Sequence, residues 1–92
     1  MIRLTLAAVM MAGLAMPASA ECYADYKAKQ DAPLRLHYGV AQVQACDTSS
    51  AEAELMPRLA ADGWTLLTVL STFGPEGLDE RKDSAGAYFL RY

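Results

Sequence analysis

Leu59-Ala60-Ala61-Asp62-Gly63-Trp64-Thr65-Leu66-Leu67 is the stretch where the chain changes its period. Upstream, Leu55, Met56, Leu59 and Ala60 recur at three- and four-residue spacing, the stripe of a helix with one buried face. Downstream, Trp64 to Phe73 is rich in apolar and β-branched residues, the composition of a strand. It lacks clean alternation, which predicts a strand covered on both faces over part of its length. Gly63 stands between the two, and a residue without Cβ enters the left-handed conformation that ends a helix at little cost. Trp64 then falls where helix meets sheet, in position to cover the core. The junction predicts an α+β domain in which one main helix packs on a small sheet.

Toward the N-terminus, Cys46-Asp47-Thr48-Ser49-Ser50 is a cluster of capping residues. Ser49 with Glu52 three residues on fits a capping box, and Glu52 and Glu54 suit the positive end of the helix dipole. The spacing predicts a helix over about 49–62, with a bend or a short first half at Pro57, which removes one main-chain hydrogen bond. In Leu34-Arg35-Leu36-His37-Tyr38-Gly39-Val40, apolar and polar residues alternate, so a half-buried strand is expected over about 34–44. Cys22 to Gln30 has a helix-compatible composition, with Tyr23, Tyr26 and Lys27 at one-turn spacing. Asp31-Ala32-Pro33 would stop it, since the residue before proline is pushed out of the helical region. A first helix over about 22–30 is the expectation.

Toward the C-terminus, a strand over about 65–73 leads into a charged, glycine-punctuated connection over 74–86. Pro75 opens it, Glu76 to Lys82 can form one or two helical turns, and Leu78 is their apolar anchor. At thirteen residues it exceeds the ordinary hairpin loop of about 2–5. Its Glu76, Leu78, Asp79, Glu80, Arg81 and Lys82 are the candidate partner-contacting surface. Tyr88-Phe89-Leu90-Arg91-Tyr92 then reads as a last strand, over about 87–92, forming a hairpin with the one before it. The expected architecture is therefore a small β-α-β-β sheet packed by one main helix, with an extra N-terminal helix and one disulfide. Strand order stays open, with the last strand slotted between the other two as one arrangement.

Residues 1–20 read as an address. Arg3 precedes an apolar run from Leu4 to Leu14, and Met16-Pro17-Ala18-Ser19-Ala20 ends it with small residues at Ala18 and Ala20. That pattern predicts a cleaved signal peptide and a single small domain over 21–92, periplasmic or secreted. The apolar run is too short to span about 30 Å of hydrocarbon, so no stable membrane anchor is expected after cleavage. Residues 21–92 carry seven basic and eleven acidic side chains, a net charge of −4 with both signs interspersed. This balance argues against nucleic acid as the partner. A domain of this size buries only about 60% of its unfolded surface and needs a staple. Cys22 and Cys46, two cysteines in an exported chain, predict a disulfide.

The junction from Leu59 to Leu67 resembles that of a widespread bacterial family, the domain-of-unknown-function family of short strand–helix–strand–strand proteins. In those proteins the helix runs into Gly-Trp-Glu-Leu; here Thr65 stands in the place of the glutamate, and the leader and cysteines are additions. The likeness covers about nine residues and the expected element order over roughly 34–92. It implies a fold and no reaction.

Catalytic chemistry is poorly supplied. His37 is the one histidine, and the chain has no G-x-S-x-G elbow, no C-x-x-C pair and no phosphate loop. Glu52/Glu54 and Asp79/Glu80 read as solvated or dipole-complementing charge, and the eight aromatics of 21–92 as core bulk. Arg35 and His37 share the polar phase of their strand, and Arg91 would join them if the last strand pairs there, as a small anion-attracting patch. The reading is a non-catalytic binding or interaction module without metal or cofactor, whose partner is another envelope protein or a second copy paired through an exposed edge strand. The alternative is a small enzyme or metal-handling protein using His37 with Cys22 and Cys46.

Overall fold

Cys22–Gln30 is a strand, β1, and the sheet is built around it. In the computed structural model, which describes residues 21–92, β1 pairs antiparallel with β2 (Arg35–Val43) across a turn at 31–34, from Cys22↔Val43 to Gln30↔Arg35. On its other side β1 pairs antiparallel with β3 (Thr65–Phe73), from Tyr23↔Phe73 to Lys29↔Thr65. The sheet order is β2-β1-β3, so β2 and β3 run parallel with β1 between them. The leader read over residues 1–20 lies outside the described residues.

Two expectations are corrected here. The helix over 22–30 is a strand because its true period is two. Cys22, Ala24, Tyr26 and Ala28 enter one core cluster, while Tyr23 and Asp25 are buried on the opposite face. The strand over 87–92 does not form. Gly86–Tyr88 is a 3-10 turn, Phe89 makes one parallel bridge to Val40, and Leu90 takes a left-handed φ of 57°, which interrupts extended backbone. The expected β-α-β-β order is thus β-β-α-β, and the strand order that the sequence left open has the first strand at the centre.

Helix α1 (Thr48–Ala60) starts one residue earlier than its spacing suggests, because the cap is Asp47. Its carboxylate accepts from the Ser50 amide at 2.8 Å. The helix runs unbroken through Pro57 and buries Ala51, Leu55 and Leu59. At its end Gly63 (φ 82°) donates to the Ala60 carbonyl and Trp64 to the Leu59 carbonyl, both at 3.0 Å. These two bonds are the Schellman pattern, and the accompanying apolar contact is Trp64 in the same cluster as Leu59. α1 packs mainly against β3 and shares one core cluster with Ala24, Ala28 and Ala41, all without exposed surface.

The opposite face carries a second, smaller core. A 3-10 turn at Pro75–Gly77 leads into α2 (Asp79–Ala85), which packs on β2. Ala85 and Leu78 meet Tyr23, Val40, Tyr38, Phe73 and Phe89 there. At the head of β1, Cys22 is bonded to Cys46 just before α1, with a Cα separation of 5.5 Å and a sequence separation of 24. A cross-link closing such a loop stabilises by about 3 kcal/mol in the chain-entropy model. It suits an oxidising compartment. No helix among the described residues is long and apolar enough to cross a membrane.

Gly63→Ala places a Cβ on a left-handed backbone and is expected to lower unfolding free energy by about 1–2 kcal/mol. Gly63→Asn should lose less, because asparagine tolerates that conformation. Denaturant titration of the two variants with unchanged slope checks the ranking.

Candidate functional site

The most demanding group on the second face is the Asp25 carboxylate, 7% exposed in the central strand. It accepts from Ser71 Oγ at 2.6 Å, from Tyr38 Oη at 2.8 Å and from Arg81 Nε at 3.1 Å. One donor comes from β3, one from β2 and one from α2. Burial raises the Asp25 pKa, yet the bonds from Ser71, Tyr38 and Arg81 outweigh it and hold the carboxyl below its ordinary value. Burial and the adjacent carboxylate push the Tyr38 phenol up to about 12. The Arg81 guanidinium lies 3.8 Å from the Phe73 ring centroid and donates to the Gly77 carbonyl at 2.8 Å, which ties α2 to the preceding turn. Asp25, Tyr38 and Ser71 were not among the candidates read from the sequence. Through these bonds the carboxylate clasps β2, β3 and α2 to the central strand.

His37 points to the other face and is 8% exposed. Tyr88 stacks on it at 3.7 Å between ring centroids, Trp64 meets it edge-on at 4.3 Å, and Tyr26 Oη lies 3.0 Å from its Nε2. Its Nδ1 is buried without a hydrogen-bond partner among the described residues. The Tyr26 ring reaches His37 across Gly39, its register partner, where any Cβ would overlap the phenol. Burial, and then the charge of Arg91, lower the His37 pKa. Arg35 lies 5.7 Å from the Trp64 ring centroid, and Arg91 5.7 Å from that of Tyr88. The three residues of the expected anion patch therefore meet around one aromatic cluster. Two of them are exposed cations on ring faces, while His37 is a buried, neutral-favouring member. Arg91 arrives on the tail after the 3-10 turn, not on a paired strand.

Of the connection residues, Glu76, Asp79, Glu80 and Lys82 are exposed, Leu78 anchors the segment in the second core, and Arg81 turns inward to Asp25. Cys22 and Cys46 are bonded to one another, so neither sulfur is a thiolate ligand or nucleophile. No group of three or more His, Cys, Asp or Glu side chains among the described residues is placed to hold a metal ion. A groove of about 660 Å³ passes the disulfide, lined by Gln42, Gln44, Glu54, Arg58 and Tyr92 among others. Its Arg58 and Glu54 lie 3.4 Å apart and offset one another's charge.

The two edges of the sheet differ. Along β2, the Val40 carbonyl accepts from the Leu90 amide at 2.8 Å, and the Gln42 carbonyl from Arg58 at 3.0 Å. Just beyond it, the Gln44 amide donates to Glu54 at 3.0 Å. Tail and helix occupy that edge from Val40 to Gln44. Along β3, main-chain bonding among the described residues is confined to β1, apart from the Thr68 hydroxyl on its neighbour's carbonyl at 3.4 Å. Two register shifts interrupt the β1–β3 ladder. Asp25 faces Ser71 while Tyr26 faces Val69, and Lys27 faces Thr68 while Ala28 faces Leu66. The skipped residues are Leu70 and Leu67, 47% and 49% exposed. Each bulge turns a leucine out of the ladder. Nothing in the sequence marks these bulges; they emerge only from the register.

Comparison of the chain with protein-family models, with curated proteins and with solved structures gives no significant match.

The two buried titrating groups give a two-stage loss of stability with acid. His37 has a folded pKa below its ordinary 6.5, so the unfolded chain binds the proton first, and stability falls as pH drops below about 6.5. Asp25 has a folded pKa below 3.8, so its contribution is lost only as pH falls from there downward. His37→Phe should flatten the first stage and spare the second, and Asp25→Asn the reverse, in melting temperatures measured against pH. At neutral pH, Asp25→Asn leaves Arg81 with only the exposed Glu80 carboxylate, 2.9 Å away, as its charge partner, and is expected to cost about 3 kcal/mol.

Proposed function

We propose that the chain is exported by its leader to the periplasm or beyond, and that it works there as a non-catalytic interaction module. Its working surface is the outer edge of β3, to which a partner adds an extended segment as a further strand. The observation that carries this reading is the difference between the two edges. The tail and Arg58 satisfy β2 at successive outward carbonyls, whereas β3 offers nine residues of main chain. Exposed edges are normally guarded by charge, proline or coverage. Thr65–Phe73 contains no charged residue, no proline and no glycine. An added strand gains main-chain hydrogen bonds from such an edge, and the turned-out Leu67 and Leu70 supply apolar contacts. The disulfide supports an oxidising destination.

The exposed charges Glu76, Asp79, Glu80 and Lys82 follow β3 in sequence, and the helix carrying the last three packs on β2, so they form a charged surface separate from the β3 edge. Exposed charges steer association and discriminate between partners more than they hold them.

Paired affinity capture from an extract of exported proteins tests the edge. Wild-type protein and L67K/L70K are immobilised in parallel, the variant having first been shown to melt as the wild type does. Recovery of edge-bound partners should drop at least about tenfold in the variant, a loss of roughly 1.4 kcal/mol. An identical set of bound proteins from both would sink the reading.

A further inference from the structure

We infer that residues 86–92 form an acid-released strap: a proton taken up by His37 frees the tail from β2, uncovering Trp64 and lengthening the free β2 edge through Val40. The β3 edge has no part in this, so the strap stands or falls separately from the reading of β3 as the working surface.

His37 is closed in by three elements besides its own. Tyr26 Oη comes from β1 and lies 3.0 Å from Nε2, Trp64 comes from the junction of α1 with β3, and Tyr88 and Tyr92 come from the tail. Arg35 lies against the Trp64 ring and Arg91 against those of Tyr88 and Tyr92. Asp62, just after α1, reaches this cluster by accepting from Tyr92 Oη. In a neutral imidazole Tyr26 Oη serves Nε2 in either role, while Nδ1 is buried without a partner among the described residues. A second proton makes both nitrogens donors, so a charged N–H stands at Nδ1 with no acceptor. The face of Tyr88 attracts a cation, yet Arg91 already lies 5.7 Å from its centroid.

Relief comes from the element that can leave. His37 is held in the ladder opposite Ala28, and Tyr26 lies in the central strand. Trp64 is fixed at the helix end, where its amide donates to Leu59. Tyr88 and Tyr92 stand on a segment outside the three strands. Its hold on β2 is the Leu90 amide on the Val40 carbonyl and the bridge of Phe89 to Val40. Tyr88, Phe89 and Tyr92 are half-buried, and Leu90 and Arg91 are exposed. The tail joins α2 at Gly86, with φ 53°, where an added Cβ would meet nothing within 4 Å. An unpacked glycine at such a joint is a hinge.

Swinging about Gly86 removes both tail rings from His37 and lets water reach Nδ1. Water solvates the imidazolium, so the open form takes up its proton at a higher pH than the closed form, in which burial and Arg91 hold the His37 pKa down. Acid therefore favours the open form and neutral pH the closed one. Arg58 on Gln42 and Glu54 on Gln44 belong to α1 and stay in place. What opens is the Val40 carbonyl, together with the aromatic surface of His37 and Trp64.

Amide exchange read by mass spectrometry on the processed, disulfide-bonded chain provides the test, with rates corrected for the intrinsic effect of pH. From about pH 7 to about pH 5, protection over residues 86–92 is expected to fall at least about threefold while β1 keeps its own. His37→Phe and His37→Gln carry no titrating ring, and each is expected to hold the tail equally protected at both pH values. Tyr88→Ser should leave the tail unprotected already at neutral pH, with β1 still protected. Equal tail protection at both pH values in the wild type overturns the strap. A loss shared equally by β1 overturns it too, being the unfolding of the whole domain. An acid response that survives in the His37 variants removes His37 as the trigger, and a tail still protected in Tyr88→Ser removes the ring contact as its fastening; either overturns the proposal.

Discussion

The Asp25 carboxylate is the constraint on which the rest of the fold depends. A charge in the middle of the central strand loses several kcal/mol of solvation and is tolerated only where its lone pairs are filled. The three donors that fill them come from three different elements: Tyr38 on β2, Ser71 on β3 and Arg81 on α2. A slip of β1 by one residue would carry the carboxylate into the core cluster that α1 shares with the alanines and leave all three donors unpaired. Sheet register and the docking of α2 are therefore specified by one group. The effect reaches the edge as well. Ser71 pins β3 against Asp25, Val69 is paired with Tyr26 on the next rung, and the residue between them, Leu70, is left outside the ladder. A buried clasp thus determines what the exposed edge presents.

The opposite face solves a different problem with different chemistry. Its strands carry small residues where α1 crosses and large rings beside it: Tyr26, His37, Trp64, Tyr88 and Tyr92. Gly39 makes this possible by leaving space for the Tyr26 ring on its own rung. Tyr92 closes the cluster from the tail and bonds to Asp62 at the end of α1, while its main-chain oxygen accepts from Arg58 at 2.9 Å. The tail is thereby held against both the helix and β2. Covering the β2 edge follows from packing the aromatic cluster.

How much of this was legible in the sequence follows the range of the interaction concerned. The Gly63-Trp64 junction depends on bonds spanning three to five residues, and those residues announce it. The alternation from Leu34 to Val40 is also local and marks a strand, but not its buried face: Leu34 and Leu36 are 64% and 65% exposed, while His37 and Gly39 of the polar phase are buried. β1 was misread as helix because Ala24 and Ala28 are good helix formers and because Tyr23 and Tyr26, taken as one stripe, lie on opposite faces. Its alternation looks like a strand only when both faces are known to be buried, and the second is covered by a helix that begins at Asp79. The same distance hid the clasp: Arg81 lies 56 residues from Asp25 and reads locally as one more surface charge. Arg35, His37 and Arg91 come near one aromatic cluster, and not through pairing of a last strand. They gather around rings, and the tail reaches them after Leu90 has broken the extended backbone that strand pairing would need.

The state of the two edges was the least legible feature, and it bears most on function. Strand order is a property of the whole chain, and an edge becomes guarded or open only once that order is fixed. With β1 at the centre, the chain had two edges to manage. It uses its last residues and Arg58 on one of them and leaves the other without the charges it places so freely elsewhere. Bulges commonly protect an edge by twisting it away from neighbours. On β3 both bulges instead turn leucines toward solvent, which adds apolar surface to unpaired main chain. A domain this small has little core to spare, and Leu67 and Leu70, 49% and 47% exposed, each forgo roughly half of the ~1.5–3 kcal/mol that full burial of a leucine supplies.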